Sequence, residues 1–153
     1  LRAFLKKPNG FGLWQALMII LIVSGLMIVV LQYARIASQH TADTYIREQT
    51  ELYLNSAVEM SMLQISLHDR STGCLSSYTP PAVTKNGVIY AADVNITRYY
   101  LLAGSEDAAL CGALSYPIQT EKSHGMTLME VEASATVGTK TVSRILRRTL
   151  QRP

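Results

Sequence analysis

The chain has 153 residues, 48% of them hydrophobic and 16% charged, with a formal net charge of +3. About 85 residues follow His68, enough for one small domain with a modest core, and no internal repeat or low-complexity tract appears. The surplus cations sit at the two ends, in Arg2, Lys6 and Lys7 and again in Arg144, Arg147, Arg148 and Arg152. A basic tail of this kind fits nucleic acid or acidic lipid, but a solvated strand end accounts for it as well, so nucleic acid is neither indicated nor excluded.

The first element is an apolar run over residues 11–31 that holds no Asp, Glu, Lys or Arg. Crossing a bilayer takes roughly 20 apolar residues, and a charge within the span would cost about 2.5–3.5 kcal/mol. The run therefore reads as a transmembrane helix. Basic residues precede it and Arg35 is the first charge after it. That bias places the N-terminus in the cytoplasm and the remainder outside. A cleaved secretory signal fits less well. Its apolar core is shorter, and the best downstream cleavage candidate, Ala34-Arg35-Ile36-Ala37, carries bulky or charged residues near the cut.

The junction ahead of the run reads Lys6-Lys7-Pro8-Asn9-Gly10 and then Phe11-Gly12-Leu13-Trp14-Gln15. It resembles the processing site of type IV pilins and type II secretion pseudopilins. The resemblance implies that a prepilin peptidase cuts between Gly10 and Phe11 on the cytoplasmic face and methylates the new N-terminus, leaving the helix in place. Glycine offers the peptidase a subsite without a side chain, and Lys6 and Lys7 hold the leader at the inner face. The fifth residue of the mature family chain is usually Glu, which pairs with a neighbouring subunit's amine. Here it is Gln15. An amide accepts a hydrogen bond but leaves the ammonium charge standing, and it is easier to hold in lipid than an unpaired carboxylate. Gln15 therefore fits either a minor subunit at a filament tip or a residue that solvates the membrane interface. Trp14 suits the lipid–water boundary.

Residues 32–69 contain neither proline nor glycine and are rich in helix formers. The membrane helix is expected to continue through them as an amphipathic helix, giving about 58 residues and roughly 87 Å in all. Tyr45, Leu52, Met60, Leu63 and Leu67 recur at helical spacing and are expected to face the fold, with Ile46 and Tyr53 alongside. Gly25 in the membrane half reads as a packing feature. Ser71-Thr72-Gly73 ends the helix, and a loop runs to Lys85-Asn86-Gly87. Four strands are expected, over 88–91, 95–103, 110–118 and 126–137, the last alternating between Leu128, Glu130, Glu132, Ser134 and Met129, Val131, Ala133, Ala135. In the tail from Thr139, Val142, Leu146 and Leu150 repeat every four residues as in a short helix, yet the β-branched Thr139, Thr141 and Val142 favour a last strand.

The chain has two cysteines, Cys74 and Cys111, both beyond the membrane run. An even count outside the cytoplasm reads as one disulfide. Closing about 37 residues would restrict the unfolded chain by roughly 3–4 kcal/mol. A metal site built with His68 or His124 is the competing reading, but no Cys-x-x-Cys or His-x-x-x-His pair supports it. His40, His68 and His124 are far apart, with no acidic pattern tying them together, and His68 is placed to satisfy the last helix carbonyls. No Gly-x-Ser-x-Gly and no phosphate-binding glycine loop is present. No catalytic site, metal or cofactor is expected.

The sequence thus points to an α+β chain: a leader over 1–10, a membrane and assembly helix over 11–31, its amphipathic continuation over 32–69, and a globular β domain over 70–153. A long N-terminal helix laid on an antiparallel sheet is the pilin architecture. The resemblance implies a structural filament subunit in the bacterial inner membrane, with its β domain in the periplasm. Its partners would be other pilin or pseudopilin subunits, the prepilin peptidase and inner-membrane lipid. The rival is an uncleaved single-pass anchor for a periplasmic binding or scaffold domain.

Overall fold

The computed structural model describes residues 11–153. Helix α1 runs over Phe11–Leu67. Contacts divide the chain between Ala42 and Asp43, so the last part of α1 belongs with the sheet. The sheet has six strands: β1 (Ser77–Tyr78), β2 (Val83–Lys85), β3 (Val88–Leu102), β4 (Ser115–Ile118), β5 (Met126–Val137) and β6 (Lys140–Gln151). Its main path is β1-β3-β5-β6, with β2 and β4 also paired to β3. The fold is the expected α+β arrangement, a long N-terminal helix on a largely antiparallel sheet.

The helix packs on the sheet through Thr50, Leu54, Ala57, Ser61 and Ile65. Their spacing of three and four residues is that of one helix face. Against them stand Ala92, Val94, Ile96, Tyr99 and Leu101 of β3, and Met129, Val131 and Ala133 of β5. Three of the five helix residues are small. Small side chains let the backbone lie close to a flat sheet. Their hydroxyls do not go unsatisfied: Thr50 Oγ1 donates to the Ile46 carbonyl and Ser61 Oγ to that of Val58, each at 2.7 Å. This corrects the expected inward face in part: Ile46 and Tyr53 do pack against Val88, Tyr90 and Ala135, but the larger set turns away. Tyr45, Leu52, Leu63 and Leu67 are exposed at 44%, 61%, 59% and 70%. The helix carries two apolar stripes, and the sheet takes the one that allows the closer approach.

The helix ends at Leu67, two residues before the expected limit. The Asp69 carboxylate accepts the Ser71 N–H at 2.9 Å, which holds the carboxyl below its ordinary range and turns the chain out of the helix. Two short strands occupy the expected loop. β2 turns into β3 through Asn86 and Gly87, both at positive φ (53° and 77°), the signature of a tight two-residue hairpin. The expected strands 88–91 and 95–103 are one strand, because inward positions alternate without a break from Val88 to Ile96 while Asp93 and Asn95 point outward. A register shift beside Thr97 is the one irregularity in its pairing with β5.

The segment expected as a strand over 110–118 is mostly something else. Helix α2 (Glu106–Leu110) begins at Ser105, whose side chain accepts the Ala108 N–H, with Glu106 and Asp107 in the first turn. A 3-10 turn over Gly112–Leu114 follows, and only Ser115–Ile118 is extended. That strand runs parallel to β3, the sheet's one parallel pair among the described residues. A parallel return needs about a dozen connecting residues, and 103–114 supply them. β5 matches its expected bounds and alternation, with Met129, Val131, Ala133 and Ala135 buried. The tail is strand β6.

Candidate functional site

Of the residues singled out in the sequence, Lys6, Lys7 and Gly10 lie outside the described residues. Phe11 opens α1, and Gln15 is exposed on its surface one turn later. From Leu13 to Ile36 the large apolar side chains are exposed on every side, Leu13 at 74% and Tyr33 at 72%. This helix is long and apolar enough to cross a membrane, and its most apolar part is unburied among the described residues. It fits a single-pass anchor. A Cβ added at Gly12 or Gly25 would meet nothing within 4 Å, so neither glycine is required by contacts among the described residues.

Within the sheet-bearing unit the exposed stripe of α1 is the second feature. Tyr45, Leu52, Leu63 and Leu67 fall on the side away from Leu54 and Ile65. Glu48 and Glu59 share that side at helical spacing from Leu52 and Leu63, and both are exposed. Those two carboxylates were the available sign that this stripe faces outward. Other groups tie the helix to the sheet. The Arg147 guanidinium of β6 donates to Glu51 and, at 2.8 Å, to Asn55 Oδ1. Tyr53 donates its hydroxyl to the Pro81 carbonyl at 2.8 Å, and burial raises its pKa.

Cys74 and Cys111 are joined, with Cα atoms 4.8 Å apart, so the expected pair is present. The bond links the segment after α1 to the end of α2. It also forms part of the wall of a cavity of about 230 Å³, with Ile65, Tyr99, Leu101 and His124. Here the fold joins residues that the sequence kept apart. His124 Nδ1 accepts the Leu102 N–H at 2.9 Å, and Nε2 lies 3.8 Å from Asp107 Oδ2. With Nδ1 acting as acceptor, the neutral ring carries its proton on Nε2, facing the carboxylate. The Leu102 bond fastens the loop before β5 to the end of β3, with the ring standing beside α2. Tyr99 adds a bond from its hydroxyl to the Leu75 carbonyl at 2.7 Å, anchoring the segment beside Cys74.

Among the described residues no group of three or more His, Cys, Asp or Glu side chains could hold a metal ion. The outer face of the sheet carries cross-strand ion pairs instead: Arg144 with Glu132 at 2.8 Å and Arg148 with Glu130 at 3.6 Å. The hydrogen bond from Arg144 holds the Glu132 carboxyl below its ordinary range. Beside them Arg98 lies 5.3 Å from the ring centroid of Tyr116, which meets Tyr100 edge-on. Comparison with known families, with curated proteins and with solved structures returns no match.

Proposed function

We propose that this chain is a structural subunit of a type IV pilus-like or type II pseudopilus filament, minor or tip-located, released from its leader by cleavage after Gly10. The observation that carries the reading is the exposed apolar surface of α1. Lipid accounts for roughly 20 residues of it. It does not account for Tyr45, Leu52, Leu63 and Leu67, which stand exposed in the unit that also holds the sheet. Helix packing in a fibre would cover both kinds of surface: ridges of one subunit's helix would enter the grooves of the next. The Lys6-Lys7-Pro8-Asn9-Gly10-Phe11 junction supplies the route out of the membrane. The basic leader argues for a cytoplasmic N-terminus in the inner membrane, and the disulfide argues for a periplasmic sheet. Gln15 in place of the usual Glu favours a position with no subunit above it to be neutralised.

Intact-mass measurement of the chain co-expressed with and without a prepilin peptidase tests the reading. The expected product begins at Phe11 and carries one added methyl group, and Gly10→Val blocks its formation. A chain that stays full-length with the peptidase present would instead support the uncleaved single-pass anchor.

A further inference from the structure

The two edges of the sheet are built differently. On one side β3 is covered piecemeal by strands of two, three and four residues, interrupted by Pro80 and Pro81 and carrying Pro117. Short pieces and prolines are the usual devices that keep an edge from pairing with other chains. The other side ends in β6, twelve residues long, with no proline between Lys140 and Gln151. Among the described residues no strand pairs with its outer edge. Beside that edge lies an open groove of about 590 Å³ between α1 and β6. Val58 and Met62 give it an apolar floor, and Glu59, Arg147, Thr149 and Gln151 line its sides.

We infer that β6 and this groove form a docking site for an extended, acidic segment of a partner protein, added to the sheet as a seventh strand. Backbone groups on the free edge would supply the hydrogen bonds. Every second side chain of the incoming strand would point to the helix side of the sheet and enter the groove over Val58 and Met62. The sign of the partner's charge follows from β6. Lys140, Arg144, Arg147 and Arg148 lie on it, Arg152 follows it, and no carboxylate occurs from Thr139 to the end of the sequence given; Arg147 is held by Glu51, which leaves Lys140, Arg144, Arg148 and Arg152 to meet the partner. Arg144 and Arg148 keep 68% and 60% of their side chains exposed while paired with glutamates. Such surface pairs are weak and exchange readily for an incoming carboxylate. The same charges disfavour edge pairing between two copies of this chain, which would set cations against cations. The site does not depend on the filament reading and would serve a lone anchor equally.

The test uses the full chain in detergent and, as probe, a short labelled peptide of alternating Val and Thr flanked by glutamates. Fluorescence anisotropy is expected to show saturable binding, at least about tenfold weaker for a lysine-flanked peptide of the same core. The same acidic peptide N-methylated along its backbone is expected not to bind, because it lacks the N–H groups a ladder needs. Glu59→Trp, at an exposed position, should fill the groove and remove binding while the far-ultraviolet circular dichroism stays unchanged. Hydrogen exchange with the probe bound should slow at amides within Lys140–Gln151. The inference is overturned if the acidic probe does not bind, if the N-methylated or lysine-flanked peptide binds equally well, or if protection falls on the exposed stripe of α1 instead. Concentration-dependent self-crosslinking through β6 that the acidic probe cannot displace would also overturn it, in favour of a second copy as occupant.

Discussion

The first stretch of α1, from Gly12 to about Leu31, carries aliphatic side chains on every side, and none of them is buried among the described residues. The stretch over 43–67 buries a narrow stripe in which Thr50, Ala57 and Ser61 outnumber the large Leu54 and Ile65, and it leaves bigger residues outside. One hydrogen-bonded geometry serves both, so secondary structure does not separate them. Their difference is in what must cover the side chains. For the first stretch no group among the described residues does so. For the second, a close-lying sheet selects small residues, because contact distance and not hydrophobicity decides which stripe fits.

The disulfide gives the largest expected contrast. Replacing Cys74 and Cys111 together by Ser should lower the unfolding free energy of the sheet-bearing unit by about 3–4 kcal/mol, read from denaturant midpoints in detergent. Membrane partitioning in cell fractions should be unchanged. A loss of membrane association would mean that anchoring depends on the folded sheet, and the two regions would no longer be independent.

A matched pair of truncations sharpens the comparison. Leu54→Ala, at a position with no exposed surface, should cost about 3 kcal/mol. Leu21→Ala, at 66% exposure, should leave the same midpoint within about 0.5 kcal/mol. Leu63→Ala on the outer stripe should behave like Leu21→Ala in this measurement and, under the filament reading, reduce recovery of the subunit with filaments. If Leu63→Ala destabilises as strongly as Leu54→Ala, the assignment of the two stripes is wrong.

The smallest effect is electrostatic. The hydrogen bond from Arg144 lowers the Glu132 carboxyl pKa in the folded state. Its contribution is therefore present above the ordinary carboxylate range and is lost as pH falls through the lower folded value. Arg144→Ala should move the Glu132 titration back up toward the ordinary range, seen by carbon-detected NMR, with little change in stability near neutral pH. An unmoved titration would show that the pair does not persist in solution.

Several features were legible in advance because each is written locally. A charge-free run over 11–31 announces a membrane-length helix whatever follows it. Strict alternation over 126–137 announces β5, since a period of two admits only one burial pattern. Two cysteines, both beyond the apolar run, leave only one possible pair. Where signals competed the outcome was less local. The strand expected over 110–118 lost its first part because Ser105, Glu106 and Asp107 start a helix that reaches Leu110, and the chain then passes through Cys111 into a 3-10 turn over Gly112–Leu114. The β-branched residues of the tail outweighed its four-residue apolar repeat once β5 was there to pair with it.

The amino-acid sequence alone determined the long first helix with its apolar opening stretch, the last two strands and the identity of the disulfide partners. These follow from composition and from periodicities that a chain carries with it. The tertiary structure decided which helix stripe faces the sheet, that β4 runs parallel to β3, that His124 meets Asp107, and that β6 is left as an open edge beside a groove. Each of those depends on how closely distant segments approach one another, and packing distance is set only when all the partners are in place.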